Sequence, residues 1–479
     1  MNTKKVDVAI IGAGTAGLNA RKEVEAAGKS WVLIEGGPYG TTCARVGCMP
    51  SKLLIAAADS AHHVSTSGQF GIRVPEDSWE VDGKAVMERV RSERDRFAGF
   101  VVDATEEIPS QKRLRGWARF VDTTTLMVDD DTRVEAEAVV VATGSRPWIP
   151  PQLEAIREDV LTSDAVFELD DLPESMAVFG TGIIGLELGQ AMARLGVRVT
   201  FFNPFEELGI FTDPRLIEKA DQVFNEQLDI HLGVQGVEVE RVDGQTHIAW
   251  SDIDGVAHDA RFETVLAAAG RRPNLERLDL ERAGLELGQK GIPVYDKYTM
   301  QCADSPVFLA GDVSGHRPLL HEASEEGRIA GSNAARFPSV ESSLRKVPLS
   351  IAFTHPQMAT VGKTFAELDT DETSVGEVSY DNQGRARVMG LNSGLVRLYG
   401  DRSNCRLVGA EMFGPRVEHT AHLLAWAVQR GATVPSLLRM PFYHPVFEEG
   451  IRTGLRDLAR ELRVHGHCAP EDRGDGPGM

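Results

Sequence analysis

Five cysteines in 479 residues are few and odd in number, which excludes a secreted scaffold stapled by disulfides. They fit a reducing cytoplasm, where a close pair of thiols is more often catalytic or redox-sensing than structural. Long apolar runs are missing as well: none approaches the roughly 18 residues of a membrane span. Lys4 and Lys5 precede the apolar run Val6–Ile11, but that run is too short for a signal-peptide core and leads straight into glycines. Positive charge is scarce, with 51 Lys and Arg against 71 Asp and Glu and a net charge of −20. That balance excludes a general binder of nucleic acid or of anionic membranes. Aromatic content is only 6%, yet 42% apolar and 25% charged residues describe a soluble globular chain. This length exceeds one ordinary core, and about three or four domains are expected.

What the sequence does contain is a repeated unit. Val6–Ile11 reads as a buried strand that enters Gly12-Ala13-Gly14-Thr15-Ala16-Gly17. A helical stretch to Ala27 and a strand Trp31–Ile34 ending at Glu35 follow. A glycine triplet alone is a weak signal; strand, G-x-G-x-x-G, helix, strand and terminal acid together are a strong one. The glycines let the backbone approach a pyrophosphate at a helix N-terminus, and Glu35 is placed to hold ribose hydroxyls. Met176–Phe179, Gly180-Thr181-Gly182-Ile183-Ile184-Gly185, a helix to Leu195 and a strand Arg198–Phe202 ending at Asn203 repeat the pattern. Glu35 follows Gly12 by 23 residues and Asn203 follows Gly180 by 23. Two dinucleotide-binding units in one chain imply two cofactors, with electrons passing between them. In the second unit Asn203 replaces the ribose-binding acid, Glu206 and Glu207 would repel a 2′-phosphate, and no arginine lies in the next ten residues. NAD(H) is therefore favoured over NADP(H).

Between the first strand pair and the second unit lies Gly40-Thr41-Thr42-Cys43-Ala44-Arg45-Val46-Gly47-Cys48-Met49-Pro50-Ser51-Lys52. In an ideal helix, residues five apart stand roughly 8 to 9 Å apart at Cα, beyond the roughly 7 Å that a disulfide spans. A bond between Cys43 and Cys48 needs a distorted turn, which Gly47 and Pro50 can supply. From spacing alone, two unrelated buried cysteines remain the simpler reading. A strained, accessible disulfide would be the easily reduced, catalytic kind.

Further along, Lys84–Asp103 reads as a helix with Val86, Val90, Phe97 and Val101 as its buried stripe and its charges in solvent. Val139–Gly144 and Val265–Gly270 are strand-and-turn pieces, and Ser145–Pro151 is a stiff connection. Val307–Leu309 delivers Asp312 beyond a strand's carboxyl end, where a cofactor hydroxyl can be gripped. From Val347 onward, strands such as Leu395–Tyr399 and Leu407–Met412 alternate with helices such as Val417–Gln429, without a glycine fingerprint. The expected organisation is 1–150, 151–272, 273–346 and 347–465, with 466–479 a disordered Gly- and Pro-rich tail. His465-Gly466-His467-Cys468 is read as part of that tail rather than as a metal site.

Together the two fingerprints, the C-x4-C-x-P-S-K segment and Asp312 resemble the flavin-dependent pyridine nucleotide–disulfide oxidoreductases over roughly residues 5–460. Dihydrolipoyl dehydrogenase, glutathione reductase and mercuric reductase are members. The resemblance implies an α/β fold of two Rossmann-like domains, for FAD and NAD, with a C-terminal α+β dimerisation domain. It implies that Gly12, Gly14, Gly17, Glu35, Thr42, Ala118 and Gly144 serve the FAD, Ala118 meeting adenine through its backbone and Asp312 the ribityl chain. Gly180, Gly182, Gly185, Asn203 and Gly270 would serve the nicotinamide cofactor. Lys52 would lie near the flavin N5, ion-paired with Glu187, and Cys43 and Cys48 would form the redox disulfide. Phe442–Glu449 matches the H-P-x-x-x-E signature at His444 and Glu449, implying a catalytic base oriented by a carboxylate. In the family that base reaches the cysteines of the other subunit, so a homodimer is implied.

Thr41 and Arg45 depart from the family's usual glycine and asparagine, and Arg45 could act on the thiol, attract an anionic substrate or face solvent. A mercuric reductase would carry a C-terminal cysteine pair, and only Cys468 stands there. The reading is a cytoplasmic, dihydrolipoyl dehydrogenase-like enzyme acting on a small or lipoyl dithiol, with no metal, nucleic-acid or membrane partner. The alternative is an NAD(P)H-dependent reductase of another small disulfide.

Overall fold

β-Branched and aliphatic residues place Asn2–Ile11 at the centre of a seven-stranded sheet, where Val8–Ile11 are fully enclosed. In the computed structural model, which describes residues 2–206 and 208–464, this strand pairs in parallel with Trp31–Glu35 on one side and Thr132–Val141 on the other. Arg113–Arg115 extends the first edge, and Val307–Leu309 lies parallel to the end of Thr132–Val141. Antiparallel Thr125–Val128 and Ala118–Phe120 finish the sheet. Helices Thr15–Ala26 and Leu320–Arg336 pack on each other over it.

The second unit repeats the plan with five parallel strands, in the order Asp229–Leu232, Arg198–Asn203, Ser175–Phe179, Thr264–Ala267 and Val160–Thr162. An antiparallel ribbon of Gln235–Val242, Gln245–Ser251 and Ala257–Phe262 closes one side, with Trp250 edge-on to Phe202 at 4.8 Å between centroids. The matching turns after each unit's last central strand meet, Ser145–Pro147 pairing antiparallel with Arg271–Pro273. This is why the two G-x-R-P stretches resemble each other: they form one two-stranded crossing between the units.

The C-terminal part is a five-stranded antiparallel sheet of Leu349–Ala352, Gln357–Gly362, Leu407–Gly414, Leu395–Asp401 and Thr373–Ser379, packed against helices Val417–Gln429 and Glu448–Val464. Fully buried Glu411 ties this sheet to the second unit, accepting from Thr212 N (2.8 Å), Thr212 Oγ1 (2.6 Å) and Phe365 N (2.7 Å). The fold is thus the expected α/β arrangement of two Rossmann-like units and a C-terminal α+β domain.

One element differs from its expectation. The helix is Gly83–Glu106, and its buried face is Met87, Val90, Arg94, Ala98 and Thr105, with Val86, Phe97 and Val101 only flanking it. The phase is shifted because Arg94 occupies the central place, its charge matched by Asp95 (2.7 Å) and Glu168. Its charges are therefore not all solvated. Glu207 and the expected tail 466–479, with the His465–Cys468 cluster, lie outside the described residues. Among the described residues no helix is long and apolar enough to cross a membrane.

Candidate active site

The cysteine segment folds as two helices, Thr42–Val46 and Cys48–Ser65, broken at Gly47 with φ −133° and ψ −112°. A Cβ at Gly47 would stand 3.3 Å from Cys43 Cα, so the glycine lets the chain fold back closely there. Pro50 lies inside the first turn of the second helix, where its missing N–H costs nothing. The break brings the two sulfurs, both free thiols, into S–H···S contact. Donation from the Cys43 thiol, aided by the Lys52 ammonium, lowers the Cys48 pKa to about 7. The same hydrogen bond, with burial, pushes Cys43 up. Thiolate character therefore belongs to Cys48 in the reduced pair. Thr41 enters this segment at φ 58° and ψ 151°, a region that is essentially glycine's, and its hydroxyl caps the short helix at Ala44 N.

Both cysteines line a cavity of about 400 Å³ together with Lys52, Glu187 and Asp312. Lys52 Nζ stands 2.6 Å from Glu187 Oε2 and 4.6 Å from the Phe353 ring centroid. Glu187 is only 4% exposed, and its other oxygen accepts from Phe353 N at 2.8 Å. Asp312 accepts from Ser145 Oγ at 2.9 Å; that hydroxyl accepts in turn from Arg271 Nε, whose guanidinium pairs with Asp164 at 2.7 Å. The turn that presents Asp312 has Gly311 at φ 82°, its N–H held by buried Glu326 (2.8 Å).

This cavity continues into a groove of about 810 Å³ that Gly12, Gly14, Glu35, Thr42, Ala118 and Gly144 all line. Gly17 is not on its wall; a Cβ there would lie 1.8 Å from Gly12 O, so it serves the contact between helix and loop. A Cβ at Gly14 would meet nothing within 4 Å and would project into open space. Glu35 accepts from Ala13 N (2.8 Å) and Gly37 N (2.7 Å), which fixes its carboxylate at the groove. A second groove of about 1030 Å³ is lined by Gly180, Gly182, Asn203 and Gly270, and the glycines divide their work in the same way. A Cβ at Gly185 would lie 2.0 Å from Gly180 O, while Gly182 has nothing within 4 Å. Asn203 is engaged, donating to Thr181 Oγ1 (2.6 Å) and accepting from Phe205 N (3.1 Å). Each groove thus pairs an open backbone loop at a helix N-terminus with a polar residue at the end of the next strand, which fits a dinucleotide in each. Ile183, Arg271, Asp312 and Leu319 belong to both the cysteine cavity and the second groove.

His444 and Glu449 line none of these spaces. His444 is exposed, and its Nδ1 lies 3.0 and 3.1 Å from the two Glu449 oxygens. Val446 N also holds that carboxylate, at 3.1 Å. With the proton on Nδ1 donated to Glu449, the Nε2 lone pair points away from the pair. Sequence reading missed Phe353, which nothing local marks, and the Arg271–Ser145 link to Asp312, for which the repeated G-x-R-P was an available signal. It also missed Trp117, which lines the first groove beneath Arg277 (4.2 Å).

Comparison with known proteins agrees with this architecture. Residues 6–327 match the description "Pyridine nucleotide-disulphide oxidoreductase", and residues 348–454 match its dimerisation domain. A mercuric reductase of Streptomyces lividans is 32% identical, covering 97% of this chain and 98% of the relative. A dihydrolipoyl dehydrogenase of Thermus scotoductus is 30% identical, covering 96% and 98%. Among solved structures, the HOCl-induced flavoprotein disulfide reductase RclA of Escherichia coli superposes with a TM-score of 0.79 at 22% identity, over 97% of this chain and 100% of that one. That likeness is one of fold. Matched along nearly its whole length, the chain belongs to the pyridine nucleotide-disulphide oxidoreductases, enzymes that use FAD and NAD(P)H.

Proposed function

We propose that the protein moves two electrons between a small dithiol and NAD(H) through Cys43, Cys48 and FAD, in the manner of a dihydrolipoyl dehydrogenase. The observation that carries this reading is the single cavity shared by both cysteines, Lys52 and Asp312, whose wall is also the wall of the second groove. FAD fits the first groove and the cysteine cavity that continues it: Gly12, Gly14, Glu35, Thr42, Ala118 and Gly144 would hold it in the groove and Asp312 in the cavity, and when bound it would supply the two-electron relay between sulfur and nicotinamide. NAD(H) is favoured over NADP(H) because Asn203, bonded to Phe205 N and Val234 N, stands in place of the ribose-binding acid, and the arginines among the described residues that line the second groove, Arg271 and Arg317, belong to other stretches of the chain.

On the oxidised pair, His444 Nε2 takes the proton of a substrate thiol, with Glu449 holding the ring. The substrate thiolate attacks Cys43 sulfur, the Cys43–Cys48 bond breaks, and Cys48 leaves as a thiolate beside Lys52. The second substrate thiol attacks the mixed disulfide, releasing the substrate disulfide and the Cys43 thiol. Two electrons now rest on the enzyme's sulfurs, in the protonation state that the hydrogen bond between Cys43 and Cys48 favours. The base would come from a second copy of the chain, since His444 lines no part of its own chain's cavity.

A substrate panel tests the reading: dihydrolipoamide, glutathione, their disulfides and mercuric ion, each with NAD(H) and NADP(H). Turnover of dihydrolipoamide with NAD+ that is lost in both Cys43→Ser and Cys48→Ser, with flavin retained, supports it. Preference for another disulfide or for mercuric ion redirects the substrate, and undiminished turnover in both variants removes the sulfur relay.

A further inference from the structure

Arg45 lies two residues beyond Cys43 on the same short helix, but it serves a different space. Cys43 lines the cysteine cavity, whereas Arg45 lines the groove of the first fingerprint with Gly12, Gly14 and Thr42. Its side chain runs over Gly40, where a Cβ would stand 2.7 Å from Arg45 Cδ; Gly40 itself sits at φ 114°. The glycine therefore leaves the path that Arg45 follows. The cationic charge acting on Cys48 is that of Lys52.

Three arginines line this groove, and two of them are occupied. Arg146 is paired with Glu276 and bonded to Asn274 Oδ1 (3.1 Å), and Arg277 covers the Trp117 ring. Arg45 is a half-buried residue, and its guanidinium has no hydrogen-bond, ion-pair or ring partner among the described residues. The groove's carboxylates are also taken: Glu35 by two backbone N–H groups, Asp164 by Arg271, Glu168 by Arg94 and Glu276 by Arg146. An unpaired guanidinium on a half-buried residue, lining one groove with a glycine loop at a helix N-terminus, calls for an anion of its own.

We propose that Arg45 binds the pyrophosphate of the dinucleotide in the first groove, so that one short helix carries both the outer redox cysteine and an anchor for the flavin cofactor. This rests on the reading above only in assigning FAD to that groove. A planar guanidinium can take two phosphate oxygens at once, a geometry that an asparagine does not offer.

The test uses the purified holoenzyme and reads flavin release. Wild type, Arg45→Lys and Arg45→Gln are compared for the temperature at which flavin fluorescence appears and for the rate of FAD loss on dilution at low and high salt. Arg45→Gln is expected to speed FAD loss about tenfold or more, as for a lost charge-assisted contact, and to blunt its salt dependence; Arg45→Lys falls between. In parallel, wild-type holoenzyme is treated with phenylglyoxal and mapped by mass spectrometry, which needs no variant to fold. Arg45 is expected to be protected while flavin is bound and modified once it is released. Unchanged FAD loss in Arg45→Gln, or modification of Arg45 in the flavin-bound enzyme, overturns the proposal and leaves the sulfur relay standing. A raised KM for anionic disulfides with unchanged FAD loss assigns Arg45 to the substrate instead. A protein that retains no flavin overturns both readings.

Discussion

Lys52 Nζ and Glu187 Oε2 meet at 2.6 Å, joining the helix that begins at Cys48 to the helix that begins beside the second fingerprint. One ion pair thus connects the sulfur pair to the unit that carries the second fingerprint. Replacing Lys52 by Met removes the charge beside Cys48 and leaves a carboxylate at 4% exposure with only the Phe353 N–H. The lysine is a third exposed, so the cost is set below that of a fully buried pair, at about 2 kcal/mol. Calorimetric unfolding should show that loss, and Glu187→Gln should lose less because it still accepts from Phe353.

The lowered Cys48 pKa gives a pH signature. A depressed thiol pKa means that the anion is present above about 7 and disappears as pH falls through that value. Alkylation of the reduced enzyme by iodoacetamide should follow that titration. Cys43→Ala, which removes the S–H donor, should move the midpoint upward, as should Lys52→Met. A midpoint unmoved by either change would mean that neither group stabilises the thiolate.

His444 and Glu449 should separate the two halves of turnover. His444→Gln should slow dithiol oxidation by about 10² to 10⁴, the usual worth of a general base. Flavin reduction by NADH in stopped flow should be unaltered. Co-expressing His444→Gln with Cys43→Ser should restore part of the activity if each site draws its base from the neighbouring copy. Failure of every mixed preparation to recover turnover would place the base elsewhere.

Thr41 holds a backbone conformation that a β-branched residue rarely adopts. Such strain costs about 1 to 3 kcal/mol, and Thr41→Gly relieves it while adding freedom to the unfolded chain. The net expectation is a gain of about 1 kcal/mol in unfolding free energy. The gain should be measurable by urea titration, at the expense of the hydroxyl cap on the helix that carries Cys43.

His62 and His355 lie edge to face at 5.3 Å, and burial holds their pKa values down to about 4 and about 3. Both are neutral in the folded state, so the unfolded chain takes up more protons below about 6.5, the ordinary histidine value. Their contribution is complete above that pH and is lost as pH falls through about 4 for His62 and about 3 for His355. Replacing His355 by Asn should remove about 3 kcal/mol of the acid-induced loss between pH 7 and pH 4. Equal pH slopes for wild type and variant would show that the ring does not titrate on unfolding.

What could be read from the sequence was local. Both glycine fingerprints, the strands around them and the break at Gly47 depend on residues within a few positions of one another, and they stand where spacing put them. His444 and Glu449, five residues apart, are likewise one turn's work. The phase of Gly83–Glu106 was not legible, because nothing near Arg94 announces Glu168 across the fold. Nor was the hold on Asp312, which needs Ser145 and Arg271 brought together by strand pairing. Arg45 was visible as an unusual residue, but which side of its helix it would serve depended on Gly40 and on carboxylates already spoken for.

Of the three spaces Cys43 and Cys48 border the cysteine cavity alone, while Ile183 and Asp312 line both that cavity and the second groove. Under the proposed function a thiol compound and a nicotinamide ring reach these shared residues from different spaces and need never be present together. Each can arrive, react and depart while the other is away. Initial-rate plots for such a divided catalyst run parallel, and either half-reaction can be driven alone with only one reactant in the tube.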